Sequence, residues 1–246
     1  MLDSVSPEES FRWRIPDLIA FALFFSATVF LVPGVTFLIM RAVQPSLRFE
    51  NLSGAQQILI QAIMDLGWVV FILFLVRGLH GRPILRTLHF TRVAGLSVSR
   101  LAGGGAFLAL LVLLASVFLP TPTDSPLEKL LSTTTSLVLF VFFGIAMAPL
   151  LEEVVFRGFL FTALTDICGV RTAVPATAAL FALLHGIQLR GNWAALILIF
   201  VVGYVLTVVR RNSNSVVPSV IMHTAYNAMI FGVSAFVTVF GLGKVR

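Results

Sequence analysis

The stretch Leu137–Leu164, LVLFVFFGIAMAPLLEEVVFRGFLFTAL, decides the fold. It exceeds the roughly 17–25 apolar residues that carry a helix across the hydrocarbon of a bilayer, yet it holds Glu152, Glu153 and Arg157. The rest of the chain agrees with a membrane reading. Its 246 residues are 58% hydrophobic and 11% charged, against roughly 45–50% apolar and about 25% charged in a soluble domain. So little charge cannot cover a soluble surface, and so much apolar side chain excludes disorder. The single cysteine, Cys168, excludes a disulfide scaffold within the chain and reads as a small packing residue.

Working outward, seven apolar runs emerge: about 18–40, 57–76, 101–119, 137–164, 173–188, 193–209 and 216–240. No alternating barrel pattern is present, so the expected fold is all-α. It is a polytopic transmembrane helical bundle of about seven spans, with room for an eighth. The N-terminus carries Asp3, Glu8 and Glu9 and lacks the basic start of a signal peptide, so the first span is expected to be retained. The net charge of +6 reads as topology rather than nucleic-acid binding, because the basic residues sit singly between apolar runs. Arg12, Arg14, Arg77–Arg100, Arg171, Arg210 and Arg211 fall on one side, which is expected to be cytoplasmic together with the N-terminus. Ser125-Pro126-Leu127-Glu128 reads as the start of a short helix on the opposite face.

Charged side chains cost about 2.5–3.5 kcal/mol each at the centre of a membrane helix, so those that occur are candidates for function. Glu153 and Arg157 are four apart, share a helix face and can pair. Glu152 lies about 100° away around the helix and has no partner in its own segment, which suits a general base. Pro149 just upstream is expected to kink the helix and free backbone groups. His185 ends the segment Phe181-Ala182-Leu183-Leu184-His185, and His223 and Asn227 are four apart on a later span. Measured from the cytoplasmic ends of their spans, Glu152 and His185 lie about 18 Å deep, with His223 and Asn227 about 11 and 17 Å deep. Similar depth on separate helices makes them a set.

Two mechanisms fit that set. Glu152 with His185 deprotonates a water while His223 and Asn227 donate to the oxyanion. Alternatively, Glu152, His185 and His223 hold one divalent metal, zinc being the natural choice, that activates the water. Asp65, with Gln61 one turn away, reads as a structural hydrogen bond or a contact to the cavity. His80 and His89 read as solvated, Gly103-Gly104-Gly105 as close helix packing or a flexible start to the third span, and Gly232-Val233-Ser234-Ala235 as packing rather than a serine nucleophile.

The three motifs, Glu152-Glu153 with Arg157, Phe181 with His185, and His223 with Asn227, resemble the CPBP family (CAAX protease and bacteriocin-processing, or Abi). This family includes the type II CAAX prenyl endopeptidases. Phe200 and Gly203, followed by the polar Arg210–Ser215 stretch, add to the likeness, which covers about residues 137–230. The resemblance implies an intramembrane endopeptidase with its site in an intramembrane cavity. Glu152 would activate water with help from His185, and His223 and Asn227 would support the oxyanion. Glu153 and Arg157 would orient the site, with Phe181 packed beside it. The family has been described both as metal-dependent and as glutamate-dependent; the glutamate reading, with no cofactor, is the expectation here. It further implies residues 1–136 as a variable N-terminal part and 137–240 as the catalytic core. The expected substrate is a peptide or membrane-protein segment, either a prenylated CAAX-type C-terminus or a leader peptide. The expected location is a multi-pass protein of a prokaryotic cell membrane, in contact with lipid and not with nucleic acid. The competing readings are a catalytically silent scaffold or immunity protein and a proton-coupled transporter, although the inverted halves of a transporter are not found.

Overall fold

A computed structural model describes residues 11–119, 134–186, 189 and 192–239. The segment Ser125–Glu128, for which a helix start was expected, lies outside the described residues. The described residues of all seven apolar runs are mainly helical, and among the described residues there is no strand. We label the helices α1 (Ile15–Val43), α2 (Gly54–Leu73), α3 (Ile84–Thr87), α4 (Val98–Val117), α5 (Thr134–Phe142), α6 (Ala148–Glu153), α7 (Phe161–Cys168), α8 (Val170–Gly186), α9 (Trp193–Ser213) and α10 (Val217–Val239). Wide π turns extend α2 over Phe74–Leu79 and join α5, α6 and α7 into one rod over Phe143–Met147 and Val154–Leu160. Five of these stretches, Ile15–Val43, Gly54–Leu79, Val98–Val117, Thr135–Cys168 and Trp193–Ser213, are long and apolar enough to cross a membrane, and α8 is a shorter apolar helix. The chain is an all-α polytopic bundle.

Local sequence sets the helix ends. Ser53 accepts from Gln56 N while Gln56 Oε1 accepts from Ser53 N, a reciprocal cap that starts α2. Arg14 N is taken by the Asp17 carboxylate at the start of α1, where Pro16 suits the first turn. Ser97 and Asn192 cap α4 and α9, and α9 ends on Asn214 in the left-handed region at φ 49°.

The outward faces are apolar: Phe30 is 80% exposed, Val43 85% and Phe118 86%. Lipid is as apolar as these side chains, so contact between helices rests on close packing and aromatic interlock rather than on escape from water. Helices α1 and α2 join through Phe24 stacked on Phe71, Phe25 stacked on Trp68, and Trp68 Nε1 donating to Thr28 Oγ1. Helix α4 packs on α10 at Gly105, where an added Cβ would sit 2.1 Å from the Met222 carbonyl oxygen. Helix α9 packs on α8 at Gly203, where a Cβ would come within 3.0 Å of the Phe181 ring. The triglycine is therefore a packing device rather than a flexible start, and Gly105 is its critical member.

An apolar cavity of about 550 Å³ lies between α1, α2, the turn after Glu153 and α8, with Phe21, Phe25, Met64, Phe156 and Leu184 among its lining. Leu183, also on its wall, is 64% exposed, so the cavity opens on the outer face of the bundle. Gln61 is a polar residue on that wall.

One end of the bundle is tied together by contacts across the sequence. Trp13 N donates to Asp166 Oδ2, Val216 N to His89 O, and Ser215 Oγ to Thr91 O. His80 is not simply solvated, as expected, but bonds the buried Asp17 at 2.8 Å and packs against Phe11 and Trp13. His89 is also drawn into this end, where burial and the neighbouring Arg210 push its imidazole down to about 4. The expectation for both histidines followed from their place in a basic loop, and failed because that loop folds back onto the bundle. Cys168 likewise departs from the packing role expected of it: it is exposed at the end of α7, with Sγ on Leu164 O.

Candidate active site

The rod that carries the glutamates is not a regular α-helix. The widened turns at Phe143–Met147 and Val154–Leu160 bracket α6, which contains Pro149, Glu152 and Glu153. A π turn bonds i to i+5, rotates the side chains that follow, and is common at functional sites. The kink expected from Pro149 thus takes the form of altered helical winding on both sides of the proline. The first wide turn also offers a carbonyl to another helix, since Asn227 Nδ2 on α10 donates to Gly144 O at 2.8 Å.

Glu153 and Arg157, both 0% exposed, pair at 2.8 Å as their spacing predicts. Arg157 also donates from Nη2 to Gly203 O at 2.9 Å and lies 4.6 Å from the centre of the Phe181 ring. It is thereby held by a carboxylate, a backbone carbonyl and an aromatic face on three different helices. A buried charge stabilised in this way is costly to strip of its partner, by roughly 3–5 kcal/mol.

His223 ties the two glutamates together. Its Nδ1 lies 3.0 Å from Glu153 Oε1 and its Nε2 3.8 Å from Glu152 Oε2. With a carboxylate on Nδ1, that nitrogen is the donor, which fixes the ring and turns Nε2 toward Glu152. The separation at Nε2 is beyond a direct hydrogen bond and can be bridged by a polar atom that bonds both groups from the side. Glu152 itself retains some exposure, 17% at its side chain, whereas Glu153 has none. The one-residue offset therefore separates a buried, paired carboxylate from an accessible one.

The remaining sequence candidates border this cluster. Phe181 stands within 5.8 Å of His223 and 4.8 Å of His185, ring centre to ring centre, and edge-on to Phe156. His185 Nδ1 bonds Phe181 O at 2.8 Å, which leaves its Nε2 as the nitrogen available to a ligand. Asn227 spends one amide hydrogen on Gly144 O and keeps the other. The alternative metal set of Glu152, His185 and His223 is not gathered as a ligand cage: no group of three His, Cys, Asp or Glu among the described residues has the geometry to hold an ion.

Three participants escaped the sequence reading. Arg210, whose charge reads there as topology, is 2% exposed and donates from Nε to Arg157 O at 3.1 Å. Gly203 was noted only for its resemblance, yet its carbonyl takes both Arg157 Nη2 and Thr207 Oγ1. Ser219, one turn before His223 on α10, is fully buried beside Glu153. Nothing in the sequence separates Arg210 from Arg211 beside it at the start of a polar stretch, and nothing marks a carbonyl acceptor. Ser234 Oγ bonds Ile230 O within its own helix, in keeping with packing.

Comparison with known proteins yields one family. Residues 134–229 match the family model described as type II CAAX prenyl endopeptidase Rce1-like. No curated protein and no solved structure matches the chain. The matched segment contains all six polar site residues from Glu152 to Asn227 together with Phe181.

Proposed function

From the premise that residues 134–229 form a type II CAAX prenyl endopeptidase Rce1-like domain, we propose that the buried cluster hydrolyses a peptide bond with Glu152 as its general base. The family makes the chain an intramembrane protease of CAAX type, an integral membrane protein whose substrate is a peptide or protein in the membrane.

The observation that supports the finer reading is His223 lying between Glu153 and Glu152. A water beside Glu152 Oε2 gives its proton to that carboxylate as its oxygen attacks the scissile carbonyl carbon. Charge then gathers on the carbonyl oxygen. His223 in its doubly protonated form donates to it from Nε2, and Asn227 from its second amide hydrogen. Glu152 returns the proton to the leaving amine as the carbon–nitrogen bond breaks. Glu153, fixed by Arg157, holds the His223 ring in register, as a carboxylate does for a catalytic histidine in other hydrolases. His185 helps to seat the water through Nε2. No step in this scheme needs a metal. The substrate we favour is a C-terminal peptide bearing a prenyl group.

The test is cleavage of a farnesylated and an unmodified peptide by purified protein in liposomes, followed by mass spectrometry. Glu152→Gln is expected to lower kcat roughly 10²–10⁴-fold while the protein still inserts, and a chelator is expected to leave the rate unchanged. Full activity in Glu152→Gln would end the assignment. Loss of activity on chelation with recovery in zinc would replace the glutamate mechanism by a metal one.

A further inference from the structure

The loop that joins α2 to α4, Arg77–Arg100, holds five arginines, and no Asp or Glu occurs anywhere from Leu66 to Thr123. Arg77, Arg86, Arg92 and Arg100 are exposed. Arg12, Arg14, Arg171 and Arg211, at the same end of the bundle, are exposed as well. Among the described residues, the carboxylates at that end are Asp17 and Asp166. Both are engaged, Asp17 by His80 and Asp166 by Trp13 N. The surface of this end is therefore strongly positive.

Charge alone would suit any acidic partner, and a second observation narrows the choice. Leu79, Leu85 and Val98 stand among these arginines at 60%, 64% and 58% exposure. Leu79 closes one apolar span and Val98 opens the next, so the loop leaves and re-enters the bundle at the level of the lipid headgroups. At that boundary an apolar side chain enters the hydrocarbon while a neighbouring guanidinium stays with the phosphates. The loop is also set firmly on the bundle. Leu88 is 1% exposed, and its carbonyl oxygen lies 3.4 Å from where a Cβ on Gly158 would stand. His89 O accepts from Val216 N, and Thr91 O from Ser215 Oγ. A surface fixed in advance loses little freedom when a ligand settles on it.

We propose that the Arg77–Arg100 loop is a docking surface for the headgroups of anionic phospholipids. Its arginines take the phosphates through charge-assisted hydrogen bonds, and Leu79, Leu85 and Val98 enter the acyl boundary beside them. Each arginine held at such a surface is expected to strengthen the attachment about fivefold. The surface is independent of the chemistry proposed for Glu152, and of which face of the membrane this end occupies.

The experiment titrates short-chain phosphatidylglycerol or phosphatidylcholine into the purified protein in detergent and reads bound lipid by native mass spectrometry. Thermal unfolding checks that each variant is folded. Wild type is expected to prefer phosphatidylglycerol, and to lose that preference as salt is raised. Arg77→Gln, Arg92→Gln and Arg100→Gln combined are expected to weaken phosphatidylglycerol binding roughly 100-fold. The same three positions changed to lysine should stay within about fivefold of wild type, since the charge is kept. Arg41→Gln with Arg48→Gln, at the opposite end, should leave binding unchanged. Equal affinity of wild type for the two lipids would overturn the proposal, and this measurement needs no variant to fold. Undiminished phosphatidylglycerol binding in the folded glutamine variant, or an equal loss in the opposite-end variant, would overturn it too. So would binding of a polyglutamate peptide by a wild type that shows no lipid preference, which would make the partner an acidic polypeptide.

Discussion

Arg157 Nη1 and His223 Nδ1 converge on the same oxygen, Oε1 of Glu153. Two donors on one buried oxygen make the charge of Glu153, and not merely its shape, the quantity that holds the histidine in place. Glu153→Gln preserves the volume but presents an amide that cannot accept from both at full strength. We expect kcat to fall about 10³–10⁴-fold, as when a histidine loses its orienting carboxylate, with the larger part of the loss in kcat rather than KM. Steady-state kinetics on the liposome-embedded variant checks this. The Glu153–Arg157 pair was legible in the sequence, because four-residue spacing within a helix dictates proximity. The link from His223 to both glutamates was not, since it depends on how α10 is rotated against α6. Arg210 was misread for a related reason: charge at the end of a span looks like topology, until a neighbouring helix supplies a carbonyl for it.

Each apolar run became a helix, because hydrocarbon tolerates no other open structure for a backbone whose polar groups must be satisfied internally. The internal winding of those helices left no trace in composition. A π turn costs one extra residue per turn and no particular side chain, so the turns flanking Pro149 could be anticipated only as a kink. The contact of α4 with α10 makes a sharper statement about elements. At Gly105 a methyl group would collide with the Met222 carbonyl oxygen, whereas at Gly104 it would lie 3.7 Å from the flexible end of the Met222 side chain. Gly105→Ala is therefore expected to lower stability by roughly 1–3 kcal/mol and to reduce cleavage by displacing α10 beside His223. Gly104→Ala should be close to neutral. Thermal unfolding of the two purified variants in detergent distinguishes them, and equal behaviour would contradict the packing described.

At the scale of the whole molecule, the residues that charge counting assigned to one side do meet at one end of the bundle. Trp13 reaches Asp166, and the His89–Thr91 loop clasps Ser215 and Val216. That end carries Cys168, the one cysteine in the chain and an exposed one. We expect a membrane-impermeant maleimide to label Cys168 in inverted vesicles and not in intact cells, with Cys168→Ser as the blank. The opposite pattern would invert the proposed topology. That these loops share one end was readable because loop charge is a property of sequence, and the labelling experiment decides which face that end occupies. The apolar cavity between α1, α2 and α8 was only a general expectation, because its shape is set by how three helices lean together. With Leu183 at its mouth, that cavity faces neighbouring lipid rather than water. An enzyme supplied from that direction meets its substrate in two dimensions. Its rate would follow the number of substrate molecules per unit area of bilayer, so that adding inert lipid would slow it at constant bulk concentration.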